Sequence, residues 1–79
     1  MRVEVLYFAS LRDAAGRDVE SVETEAADVG ALYAELAARH AFGFAPKSLR
    51  AAIDGAFVPW DASLRPGAEV AYLPPVSGG

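Results

Sequence analysis

Alternation of apolar and polar positions opens the chain. In MRVEVLYFAS, Val3, Val5, Tyr7 and Ala9 occupy every second position, and β-branched and aromatic residues dominate. The pattern predicts a strand over residues 2 to 9 with that set facing a core. Its other face begins with Arg2 and Glu4 but continues with Leu6 and Phe8, two large apolar side chains on the nominal solvent side. Either this chain covers both faces of the strand, or a partner covers the second.

The next segments read as short connections and one long helix. SLRDAAG, residues 10 to 16, suits a helical turn with Ser10 as N-cap and Gly16 as stop. RDVESVETE alternates around Val19 and Val22 and carries enough charge for a short edge strand. DVGALYAELAARH places Asp28 at an N-cap and Val29, Leu32, Tyr33 and Leu36 at i, i+3, i+4 and i+7, so one stripe of a helix packs on the sheet. Arg39 and His40 fall in its last turn, where they complement the dipole, and Gly43 and Pro46 of AFGFAP end it.

Strands return after that loop. LRAAID, residues 49 to 54, runs into the turn pair Asp54-Gly55, and FVPW returns with Pro59 suited to a sheet edge. Arg65-Pro66-Gly67 makes another turn before a last strand, residues 69 to 73, in which Val70 and Tyr72 alternate with Glu69, Ala71 and Leu73.

Composition narrows what such a domain can do. A chain of 79 residues is one domain with one core, and 53% hydrophobic against 23% charged residues fits a folded protein. Eleven acidic against seven basic residues, a net charge of −4, argue against binding a phosphate backbone, so no nucleic-acid partner is expected. No apolar run approaches the ~20 residues of a membrane span. Arg2 and Glu4 interrupt the apolar start, unlike a signal peptide, so the expected location is the cytoplasm, with no membrane partner. There is no cysteine and only one histidine, which leaves no thiolate chemistry and no recognisable metal site.

A self-contained active site is not expected either. The chain lacks nucleotide-binding glycine motifs, HExxH and G-x-S-x-G, and His40 at a helix end reads as structural. Asp13, Asp54 and Asp61 read as turn residues that bond backbone amides. What remains is the tail, LPPVSGG. Pro74 and Pro75 favour an extended course without backbone donors, Val76 and Ser77 are small, and Gly78 and Gly79 have no side chains. Such a segment is either a frayed end or processing remnant, or a thread narrow enough to enter a channel that a β-carbon would obstruct. In the second case the ionised terminal carboxylate could attack the α-phosphate of an ATP supplied by another protein.

FASLRDAAG near the start and LRPGAEVAYLPPVSGG at the end together resemble the small subunits of molybdopterin synthase, ubiquitin-like sulfur carriers of the β-grasp fold. The resemblance spans the whole chain, and the C-terminal motif is its specific part. Two departures stand in turns: Asp54 where the family usually has Asn, and Pro66 and Ala68 flanking Gly67 where it usually has Asp-Gly-Asp.

The resemblance implies an α+β fold, a mixed sheet of four to five strands on one main helix, with a β-grasp domain over residues 1–73 and a flexible tail over 74–79. It implies that an E1-like adenylyltransferase uses ATP to adenylate Gly79, that a sulfur relay protein converts it to a thiocarboxylate, and that the sulfur passes to cyclic pyranopterin monophosphate. That transfer would occur in the large subunit of molybdopterin synthase, as a hetero-oligomer of two small and two large subunits. No cofactor would be bound stably. Pro74, Pro75, Val76, Ser77 and Gly78 would thread the partner's site. The family sheet sets the first and last strands side by side and parallel, which suggests a docking surface of Leu6, Phe8, Phe57 and Leu73 for both the large subunit and the activating enzyme. Arg12 matches a family position that contacts an acidic group on the activating enzyme. Delivery of sulfur to thiamine or tRNA, attachment to lysines as a modifier, and an inert β-grasp interaction module are the alternatives.

Overall fold

The computed structural model describes residues 1 to 74. Its elements run β1 (Arg2–Tyr7), α1 (Ala9–Ala15), β2 (Val19–Glu23), α2 (Val29–His40), a 3₁₀ turn (Pro46–Ser48), β3 (Arg50–Ile53), β4 (Ala56–Val58) and β5 (Glu69–Leu73). The five strands form one sheet in the order β2-β1-β5-β3-β4. β1 and β5 lie side by side and parallel, while the other three pairs are antiparallel. This is the α+β, β-grasp arrangement that the resemblance implied. No helix among the described residues is long and apolar enough to cross a membrane.

One face of the sheet is buried under α2. Val3, Val5 and Tyr7 of β1, Val22 of β2, Ala51 of β3 and Val70 and Tyr72 of β5 meet Val29, Leu32, Tyr33 and Leu36 of α2, with Leu11 of α1 completing the core. Side chains of this size contribute about 1.5–3 kcal/mol each when fully buried. The amphipathic stripe of α2 therefore supplies a large part of the stability of so small a domain. Polar atoms carried into this core are satisfied. The Tyr72 hydroxyl donates to the Val29 carbonyl at 2.7 Å, and the Tyr33 hydroxyl donates to the Phe44 carbonyl at 2.7 Å.

Turn chemistry follows the sequence closely at three places. Asp54 and Gly55 both take positive φ, 50° and 86°, the requirement of a tight hairpin between β3 and β4. Asp tolerates this conformation as Asn does, and its Oδ1 also accepts the Glu69 amide at 2.9 Å, which ties the hairpin to β5. Gly67 sits at φ 82° in a turn closed by the Ala68 amide donating to the Arg65 carbonyl at 3.1 Å. The departures from the family pattern thus preserve both turns. Asp28 caps α2 by accepting the Ala31 amide at 2.8 Å.

Four local expectations need correction. β1 ends at Tyr7 rather than at residue 9, because Ala9 turns to φ 49° and opens α1. The N-cap of α1 is Phe8, with no side-chain cap from Ser10. Asp13 lies inside α1 and not in a turn. Helix α2 stops at Ala41, which adopts φ 57°, so the stop comes two residues before Gly43. An alanine in the left-handed region costs roughly 1–2 kcal/mol, and sequence patterns give no signal for it.

Candidate functional site

Strand register decides what the second face of the sheet carries. Val19 pairs with Leu6, Leu6 with Ala71, Ala71 with Ala52, and Ala52 with Phe57. Directly paired residues point to the same side, so these five side chains form one apolar row across all five strands. The two alanines are buried between larger neighbours, while Phe57 is 60% and Val19 48% exposed. One step along the strands, toward the end where β5 finishes, Leu73 pairs with Arg50 and Phe8 emerges 44% exposed from the end of β1. One step the other way, Glu4 pairs with Glu69.

The "wrong" face of β1 is therefore the middle of a surface. Leu6, Phe8, Phe57 and Leu73, expected as a docking patch, all line one shallow depression of about 220 Å³ together with Ala52 and Ala71. Among the described residues, no helix or loop of the chain fills it. Sequence reasoning missed Val19, which it grouped with Val22. Residues three apart on a strand face opposite sides, and Val22 is in the core while Val19 joins the open face.

Pro74 leaves this patch at the end of β5, where it borders a groove with Leu73. Pro75, Val76, Ser77, Gly78 and Gly79, assigned to tail threading and to the reactive terminus, lie outside the described residues. Arg12 is on the exposed side of α1, 4.0 Å from the Asp18 carboxylate.

On the helix-facing side, β2 carries a polar cluster that the sequence did not suggest. The nearly buried Glu20 carboxylate accepts from the Tyr7 hydroxyl at 2.7 Å and from Arg39 Nη1 at 3.1 Å, and His40 Nε2 lies 2.9 Å away. Burial pushes the Glu20 carboxyl up, but hydrogen bonds from Tyr7 and His40 outweigh it, and the net direction is down. Burial and the bond to Glu20 together raise Tyr7 well above its ordinary value. The Tyr7 ring also meets the His40 ring edge-on at 5.7 Å. These contacts pin the end of α2 to the sheet, so His40 is structural, as its place in the sequence suggested.

Comparison with known proteins finds relatives of the chain in sequence and in fold. The ThiS family model matches residues 5–79. The molybdopterin synthase sulfur carrier subunit of Escherichia coli (strain K12) is 38% identical over 80 residues, covering 98% of this chain and 99% of that protein. The subunit of the same name from Haemophilus influenzae is 31% identical, with the same coverage of 98% and 99%. Among solved structures, SAMP1 of Haloferax volcanii superimposes with a TM-score of 0.83 at 27% identity, over all of both chains.

Proposed function

This chain belongs to the ThiS family, and on that premise we propose that it is a sulfur carrier of molybdenum cofactor biosynthesis, the small subunit of a molybdopterin synthase. Gly79 is the reactive group. Its carboxylate attacks the α-phosphate of ATP held by an E1-like adenylyltransferase, pyrophosphate leaves, and an acyl-adenylate forms. The terminal sulfur of a relay protein's persulfide then displaces AMP at the carbonyl carbon, and a thiol cleaves the resulting acyl disulfide, leaving a thiocarboxylate on Gly79 and a disulfide on the relay. Within the large synthase subunit that sulfur attacks cyclic pyranopterin monophosphate, and water hydrolyses the acyl–sulfur bond, so that Gly79 returns to a carboxylate. The chain binds no cofactor stably, and ATP belongs to the activating partner. Two small and two large subunits make the assembly.

The observation that carries this reading is the apolar row that crosses the sheet and reaches Leu73, the last residue of the strand from which the tail departs. An exposed patch of this kind, next to a stiff narrow tail, lets a partner grip the domain while the tail enters its site. Pro74 and Pro75 direct the chain outward, and Val76 to Gly79 pass where larger side chains would not. Arg12 is a recognition residue for the activating enzyme.

Intact mass tests the proposal. Expressed with its activating enzyme and sulfur source, the chain gains one oxygen-to-sulfur exchange at its C-terminus, and the product makes molybdopterin when mixed with the large subunit. An unchanged mass, or full pathway activity after deletion of Gly79, refutes it. SAMP1 is by name a small archaeal modifier protein, which gives a second outcome its meaning: attachment to lysines of other proteins in place of sulfur exchange would make the chain a modifier.

A further inference from the structure

The open face is not uniformly apolar along the strands. At the end remote from the tail it carries Glu4 and Glu69, across its middle the apolar row, and at the tail root Arg50, paired in register with Leu73. The Arg50 guanidinium lies over the Phe57 ring, 4.2 Å from its centroid. That contact holds the cation against the apolar row instead of letting it swing into solvent. Lys47, from the 3₁₀ turn, stands beside it, and a groove of about 530 Å³ runs between Lys47, Ser48, Arg50, Phe57, Leu73 and Pro74. Among the described residues Arg2, Arg12, Arg39 and Arg65 each reach a carboxylate, whereas Arg17, Lys47 and Arg50 reach none, and of these three Lys47 and Arg50 share the groove at the tail root.

We propose that Arg50 and Lys47 form a carboxylate-recognition site at the root of the tail, and that its occupant is an acidic segment of the partner protein that receives the tail. Charge complementarity selects this occupant. The chain as a whole is acidic, at −4, and a nucleic-acid backbone would be repelled from most of its surface. Two cations placed in a groove that adjoins Pro74 will instead find carboxylates on a protein already docked on the apolar row. Arg presents a planar fork that suits a bidentate carboxylate, and Lys adds a compact charge beside it. Extended into the partner as proposed, the five residues after Pro74 would set the reacting terminus up to about 18 Å from these cations. These residues therefore act in recognition and not in the chemistry at Gly79. With Glu4 and Glu69 at the far end, the face has a charge direction, so the partner docks in one orientation with its acidic side toward the tail.

The inference rests on the carrier reading, and titration calorimetry separates the two. The full chain is titrated with the large synthase subunit of its own organism at low and moderate salt. Arg50→Glu and Lys47→Glu each weaken binding by about tenfold or more and flatten its salt dependence. Arg65→Glu makes the same change in net charge but sits beside Asp54, away from the tail root, and shifts binding by less than about threefold. Arg50→Glu or Lys47→Glu binding like wild type, or weakened no more than Arg65→Glu, overturns the inference and leaves the carrier reading standing. Failure of the wild-type chain to bind the large subunit overturns both. Lys47 lies in an exposed turn outside the sheet, so its variant keeps the test valid should Arg50→Glu disturb the fold.

Discussion

Replacing Phe57 by alanine separates docking from folding at one position. Phe57 is 60% exposed on edge strand β4, and a phenylalanine side chain offers ~200 Å² in all, which leaves about 120 Å² free for a partner. Covering that area at ~25 cal/mol per Å² is worth up to ~3 kcal/mol, of which alanine keeps a minor part. The expected loss on binding the large subunit is about 2–3 kcal/mol, a roughly 30- to 150-fold rise in Kd. Folding should also weaken, by up to about 2 kcal/mol for the ~80 Å² that Phe57 already buries, including a contact beneath Arg50 worth about 0.5–1 kcal/mol at an exposed site, so binding is compared on folded protein well below Tm. Calorimetric titration gives the first quantity and thermal melting the second. The same substitution in an Arg50→Ala background removes the guanidinium contribution and isolates the area effect. A Kd within threefold of wild type for the folded variant would show that this face is not the interface, and the proposed role of the apolar row would fall with it.

Three further outcomes follow from the fold. Ala41→Gly relieves the left-handed conformation at the end of α2 and should stabilise by about 0.5–1 kcal/mol, read as a Tm higher by several degrees; a lower Tm would contradict the assigned cap. Tyr72→Phe removes the hydroxyl's bond to the buried Val29 carbonyl and should cost about 0.5–1.5 kcal/mol in urea unfolding, with a fall in midpoint and little change in slope. Stability should decline at both pH extremes. The lowered Glu20 carboxyl stabilises the fold above its ordinary value near 4.5, and that contribution is lost as pH falls below it; Glu20→Gln should flatten the acid arm. Tyr7 and Tyr72, both raised above 10.0, contribute fully below pH 10, and their contribution is lost as pH rises beyond it; an alkaline arm unchanged in Tyr72→Phe would count against this.

Local signals were the readable ones. The four-residue stripe of α2, its Asp28 cap and the turns at Asp54-Gly55 and Pro66-Gly67 depend on neighbours within a few positions, and each appears where the pattern placed it. The last strand was delimited by the same alternation. Ends of elements were less readable. Ala9 and Ala41 hold left-handed conformations because the packed helices and sheet require the chain to turn there, against the preference of the residue. The glycine at position 43 carried the more visible stop signal and is not the one used.

By itself the sequence determined the elements, their inward faces and the anomaly of Leu6 and Phe8, because strand and helix periods are properties of the local backbone. It also supplied the proline-stiffened tail with its terminal glycines. Only the tertiary structure decided that Val19, Leu6, Ala71, Ala52 and Phe57 stand in one row, that Arg50 lies on Phe57 beside Pro74, and that Glu20 is buried against Tyr7 and His40. Those neighbours come from different strands, and register between strands is set by the whole core closing at once, since a slip of one residue would turn each face inside out.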